Sequence, residues 1–175
     1  VTNPRYVSVS DPNVMYLQTN DGEADDTNIN GTFEKTAVLF GVDDYAAVNT
    51  SGQNHIAYLW HSVEGYSKFG SYTGNGSADG TFVYTGFEPA WVVCKRTDST
   101  GSWEQVDNKR TNQTNPIDED LLINTNDAEY EADRMDFVSN GFKLRTTSTA
   151  FNASSGSYVF MAFSSETGFK YATAR

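Results

Sequence analysis

Apolar and polar positions in this chain change over in short bursts and never settle into a helical stripe. The runs Arg5–Val9, Ala37–Phe40, His55–His61, Thr81–Tyr84, Ala90–Lys95, Leu121–Ile123 and Ser157–Ser164 are apolar or alternating and rich in β-branched and aromatic residues. Such side chains suit a pleated, half-buried surface, so each run predicts a strand. Turn signals fall between them: Asn-Gly at Asn30, Asn75 and Asn140, and Asp-Gly at Asp21 and Asp79. These dipeptides are expected to supply the positive φ that tight hairpin turns need. Met135–Val138 and Phe142–Arg145, on either side of Ser-Asn-Gly, form the clearest hairpin. Asn126–Arg134 is the one helical candidate, capped by Asn126 and acidic in its first turn. Many short strands with regular turns predict an all-β fold: an antiparallel β-sandwich, jelly-roll-like or lectin-like, with at most one or two short helical turns.

The pattern is used twice. Asn49–Phe69 and Asn152–Tyr171 align at an offset of 103, with Asn49/Asn152, Ser51/Ser154, Trp60/Phe163, Ser62/Ser165 and Gly65/Gly168 coinciding. Leu17–Glu23 matches Ile123–Glu129 at an offset of 106. Self-similarity at a fixed spacing indicates one supersecondary design repeated. His55–Trp60 and Tyr158–Phe163 are almost continuously apolar, which predicts central strands covered on both faces. The expected division is 1–65, a truncated first copy, and 66–175, a complete second copy folded as a β-sandwich module. The first copy lacks a counterpart of Gly70–Arg110, so the chain reads as the C-terminal part of a longer polypeptide. An incomplete unit leaves a sheet edge unpaired, and 1–65 is therefore expected to pack on the second copy or on a neighbouring subunit.

Charge narrows the partners. Twenty-three acids against 12 bases give −11, which disfavours nucleic acid and anionic membranes. No apolar run approaches the ~20 residues of a membrane helix. Cys94 is the only cysteine and lies in the apolar Trp91–Lys95, the setting of a buried, inert thiol. Five Asn-x-Ser/Thr sequons, at Asn30, Asn49, Asn75, Asn112 and Asn152, are expected by chance in a chain so rich in these residues.

Candidate chemistry is thin. Asp21–Asp26, Asp43-Asp44 and Asp118–Asp120 are acidic but lack calcium-loop spacing, and read as solvated loops. His55 and His61 stand on one predicted strand about 20 Å apart, too far to share a metal. No nucleophile motif accompanies them. The acids fall mainly in loops, away from the apolar setting that raises a catalytic carboxyl. No catalytic residue, metal site or cofactor is expected. Trp103 and Tyr130, flanked by polar residues, are the candidate ligand-binding rings, Tyr130 on the short helical segment. Trp103 can equally be the inward residue of an alternating strand.

Val63–Gly76 (VEGYSKFGSYTGNG) with Thr81–Asp98, then Phe137–Arg145 and the closing Tyr158–Arg175, resemble a repeated domain of unknown function in the tail-fibre and other virion proteins of tailed bacteriophages, often marine phages. The resemblance implies a virion protein ending in a lectin-like β-sandwich. It implies no catalytic or ligand-binding residue. The function expected is a non-enzymatic tail-fibre or spike module for host-surface attachment, located on the extracellular particle. Its expected partners are other virion proteins, further copies of itself (a trimer by analogy) and a host-surface glycan. Alternatives are a capsid-decorating or tail-scaffold protein, a carbohydrate-binding lectin-like module, and a polysaccharide depolymerase.

Overall fold

The computed structural model describes residues 5–7, 13–25, 49–110 and 114–164. Among them are eleven β-strands. A three-stranded antiparallel sheet holds β1 (Arg5–Val7), β2 (Asn13–Tyr16) and β3 (Ala24–Asp25), in that order. The eight others are β4 (Ser67–Thr73), β5 (Phe82–Tyr84), β6 (Pro89–Arg96), β7 (Trp103–Asp107), β8 (Ile117–Leu122), β9 (Tyr130–Val138), β10 (Gly141–Leu144) and β11 (Ser157–Ser164). They form one antiparallel sheet in the order β4-β11-β6-β7-β8-β9-β10-β5. The fold is thus all-β and antiparallel, as the strand pattern predicts. The expected runs at Ala37–Phe40 and the turn at Asn30-Gly31 lie outside the described residues.

The eight-stranded sheet rolls over on itself. Every one of its strands sends side chains into a single core, including Tyr72 of β4, Val83 of β5, Phe142 of β10 and Phe160 of β11. Tyr72 stacks on Tyr158 with ring centroids 4.9 Å apart and meets Phe142 edge-on at 6.1 Å. The two end strands approach each other, and the Thr81 hydroxyl donates to the Thr73 carbonyl at 2.8 Å. Each fully buried Val, Leu or Phe here contributes about 1.5–3 kcal/mol.

Strand β11 shows why a nearly unbroken apolar run works. Tyr158, Phe160 and Ala162 face the core, while Val159 and Met161 face outward onto a second cluster of Met15, Val93 and Trp103. Met15 comes from β2, so the small sheet's segment lies over β6, β7 and β11. The Trp103 indole N–H donates to the Tyr16 carbonyl at 3.0 Å, Glu23 N–H to Thr97 carbonyl at 2.7 Å, and Gly101 N–H to Asn20 carbonyl at 2.8 Å. Residues 14–23 of the 1–65 segment therefore pack against residues of the second copy, whereas residues 56–62 of that segment are exposed.

Three local expectations are corrected. His55–His61 is not a central strand: residues 53–62 form no strand and, apart from the half-buried His55, stand in solvent. Asn126–Arg134 is not helical. From Tyr130 it enters β9, because Tyr130 and Glu131 pair with Asp120 and Glu119 of β8 and supply ladder bonds that one helical turn lacks. The glycines of Asp21-Gly22, Asp79-Gly80 and Asn140-Gly141 do not provide positive φ. Ser139 and Asn140 make the turn, and Gly141 is already in β10, where a Cβ would lie 2.1 Å from the Val83 carbonyl oxygen. Gly76, by contrast, has φ of +69° as the dipeptide rule expects.

Candidate functional site: a buried acidic pair and an exposed aromatic arm

Titratable groups converge inside the rolled sheet, where the pattern of residues did not place them. Asp118–Asp120 is no loop. It lies in β8, and Glu119 and Asp120 are buried. Glu104 of β7 and Asp120 of β8 sit diagonally across one ladder on its inner face, at 5% and 1% exposure. Burial, followed by the hydrogen bond and charge of Asp120, pushes the Glu104 carboxyl up to about 8, against the opposing pull of Arg134 and Lys95. Glu104 therefore keeps its proton to a higher pH than an ordinary carboxyl does. Arg134 answers the remaining charge: its Nε lies 2.6 Å from Asp120 Oδ1, and its guanidinium lies 5.3 Å from the Phe151 ring centroid. The expectation that the acids fall mainly in loops is thus corrected for Glu104, Glu119 and Asp120. The missed signal was alternation, since in Trp-Glu-Gln-Val-Asp the positions of Glu104 and Val106 share a face.

Cys94 pairs with Glu104 in the β6–β7 register and is buried, as expected. Burial, together with the Glu104 charge, holds its thiol far above the ordinary range. Tyr72 is raised likewise, by burial first and then by Cys94. Both shifts favour the neutral forms of these groups, which lie within packed aromatics. Among the described residues no three His, Cys, Asp or Glu side chains are grouped to hold a metal ion. Asp26 and Asp43-Asp44 lie outside the described residues.

The two candidate rings part company. Trp103 is fully buried beneath Met15 and has its indole N–H engaged by Tyr16, so it is a weld between the two layers and not a surface anchor. Tyr130 is exposed, at the start of β9. They share no surface. His55 and His61 belong to no common strand: His55 Nε2 accepts from Thr50 N–H at 3.2 Å, and His61 Nδ1 lies 3.0 Å from the Ser62 carbonyl. Of the sequons, Asn152 is fully buried, while Asn30 and Asn112 lie outside the described residues.

The prominent surface feature is the arm formed by residues 53–62. Ile56, Tyr58, Leu59 and Trp60 are 81%, 73%, 63% and 62% exposed. Tyr58 and Trp60 stack with centroids 6.1 Å apart and planes inclined by 21°. Four large exposed apolar side chains within the five residues Ile56–Trp60 exceed the scattered exposure of an ordinary surface. Their prediction as core was right about chemistry and wrong about place.

Among the described residues, fold and site together define an all-β module with buried titratable groups and an exposed apolar segment. A family model described as a domain of unknown function (DUF7483) matches residues 5–167, and the chain belongs to that family. The matched range spans the boundary expected between 65 and 66. No curated protein and no solved structure matches the chain.

Proposed function

We propose that this chain is a non-enzymatic structural module of a phage virion, carried on a tail fibre or spike and acting through surface contact with the host or with neighbouring virion proteins. The observation that carries the reading is the exposed arm Ile56–Trp60, set against an interior whose perturbed groups, Glu104, Cys94 and Tyr72, are buried among packed side chains. A rigid β-sheet scaffold that displays an apolar contact surface gains strength from repeated copies, without catalysis. The virion setting is supported by the resemblance of Val63–Asp98 and Tyr158–Arg175 to repeats in tailed-phage structural proteins.

The test is to purify particles and locate the chain by mass spectrometry and antibody-labelled electron microscopy. Label on fibres or spikes, and loss of host adsorption when the isolated chain is added in excess, is the expected outcome. Absence from particles, or release of sugar from host polysaccharide by the chain, would overturn the reading.

A second reading is a carbohydrate-binding module. It is favoured by the exposed Tyr58 and Trp60 rings, since such faces stack on sugars. Glycan-array binding that disappears in Trp60→Ala would support it.

A further inference from the structure

We propose that residues 53–62 are a donated β-strand whose acceptor is the open edge of β4 in a second copy of this chain. This deepens the assembly reading above by naming the partner.

The internal repeat supplies the arm's proper environment. His55–His61 aligns with Tyr158–Ser164 at the offset of 103, and in that copy the same pattern is β11, paired on one side with β4 and on the other with β6. Ile56, Tyr58 and Trp60 occupy the positions of Val159, Met161 and Phe163. Two of those three, Val159 and Met161, pack under the Met15–Trp103 cluster. A sequence with the design of a central strand is here left outside any sheet.

Pairing with β4 has already begun and then stops. Val63 and Ser67 exchange both backbone hydrogen bonds at 2.9 Å, after a turn in which Gly65 has φ of +76°. At the next step the Phe69 N–H is met by the Ser62 hydroxyl at 3.1 Å, and the arm runs off its own β4. Strand β4 ends the eight-stranded order. By antiparallel alternation Ser67, Phe69, Ser71 and Thr73 turn their backbone groups away from β11. Ser67 meets Val63 and the Thr73 carbonyl meets Thr81, so the stretch around Ser71 is the open part of that edge among the described residues. An open edge beside an unpaired strand-forming segment is the usual route to pairing between chains.

Charge selects a second copy as occupant. Chains carrying −11 repel one another over most of their surface. From Tyr45 to Val63, however, the sequence contains no Asp, Glu, Lys or Arg. The outer face beside β4 is aromatic, with Phe163 edge-on to Phe69 at 5.8 Å and to Tyr66 at 5.7 Å. A strand without formal charge thus meets an edge whose one formal charge, from Ser67 to Thr73, is the cation Lys68. Exchange is reciprocal, arm to edge and edge to arm, which gives a closed two-fold dimer.

The experiment is sedimentation velocity on the full chain from micromolar to submillimolar concentration, with hydrogen exchange at both ends of the range. Wild type is expected to dimerise, and the amides of residues 56–60 to become protected only when concentrated. Tyr58→Asp and, separately, Leu59→Pro are each expected to weaken association about tenfold or more, with the thermal midpoint of the monomer unchanged because the arm stands in solvent. Leu59→Pro removes a backbone donor and leaves the rings, which separates strand pairing from ring stacking on a sugar. Tyr130→Asp, on an exposed ring elsewhere, is expected to leave association unaltered. A wild type that stays monomeric throughout, or a dimer indifferent to both arm variants, overturns the inference. A monomer that still blocks host adsorption would sink this inference and leave attachment standing; a dimer absent from particles would do the reverse.

Discussion

Glu104 and Asp120 lie diagonally opposite each other on the inner face of the β7–β8 ladder, both buried. The pair links stability to pH in an unusual direction. The Glu104 carboxyl lies at about 8 in the folded chain against 4.5 for an unperturbed glutamate. Between those values the folded chain holds a proton that the unfolded chain has released, so stability falls as pH rises through that window. Wild type is expected to lose on the order of 2–4 kcal/mol of stability between pH ~5 and ~9 from this group. Glu104→Gln keeps the hydrogen bond without the titration and is expected to flatten that limb in urea melts. An unchanged slope would remove Glu104 as its source.

The acid limb has other owners. Asp98 is held below the usual carboxylate range by the hydrogen bond from Arg96. Asp107 is also lowered: its partial burial works the other way, but the hydrogen bonds from Lys109 and Arg110 outweigh it. A depressed carboxyl stabilises above its unfolded pKa and loses that contribution as pH falls through the folded one. Stability is therefore expected to peak on the acid side of neutrality. Asp107→Asn should shift the acid limb and leave the alkaline one alone.

Trp103 joins the two layers by packing and by one hydrogen bond. Trp103→Ala is expected to cost about 3–5 kcal/mol, the usual range for emptying a large aromatic site. Hydrogen exchange should rise first in residues 14–23, whose cover over β6 and β7 depends on that ring. Trp103→Phe retains part of the packing and loses the bond to the Tyr16 carbonyl, for about 1–3 kcal/mol. Uniform loss of protection across the chain would contradict this assignment.

Asn152 is buried and fully engaged. Its Nδ2 faces Asn75 Oδ1 at 3.0 Å, the Ser77 carbonyl at 2.7 Å and the Thr146 carbonyl at 2.9 Å, while its Oδ1 accepts from Asn75 N–H at 2.8 Å. It ties the loop between β4 and β5 to the segment before β11. Asn152→Ala strands several buried groups and is expected to destabilise by about 2–3 kcal/mol in urea unfolding. A change within ~0.5 kcal/mol, as for an ordinary surface site, would refute the clamp.

Gly141 is required by space and not by dihedral angle. A methyl group there meets the Val83 carbonyl oxygen at 2.1 Å, which forces β10 and β5 apart. Gly141→Ala is expected to cost about 3 kcal/mol or more, whereas Gly101→Ala, whose nearest neighbour would be Arg96 Cβ at 3.5 Å, should fall within ~0.5 kcal/mol. Comparable midpoints for the two variants would count against the steric argument.

Particular residues show how far the chain could be read unaided. Met135–Leu144 announced its hairpin because both strands and the turn are local, and pairing of Val138 with Gly141 needs nothing distant. The same reading misjudged Tyr130, because nine residues from Asn126 to Arg134 have helical end signals, yet β8 offers them a ladder. The acidic pair escaped notice because Glu104 and Asp120 look solvated in isolation. Only the order of strands brings them to one face.

The two repeat copies separate what sequence determines from what folding decides. Alternation, turn residues and aromatic content alone specify an all-β antiparallel chain, and they give His55–His61 and Tyr158–Ser164 the same strand character. Tertiary structure alone decides that the second is enclosed between β4 and β6 while the first stands in water. The reason is physical: side-chain periodicity is a property of neighbours in the chain, but a strand's hydrogen-bond partners and cover come from residues far along it.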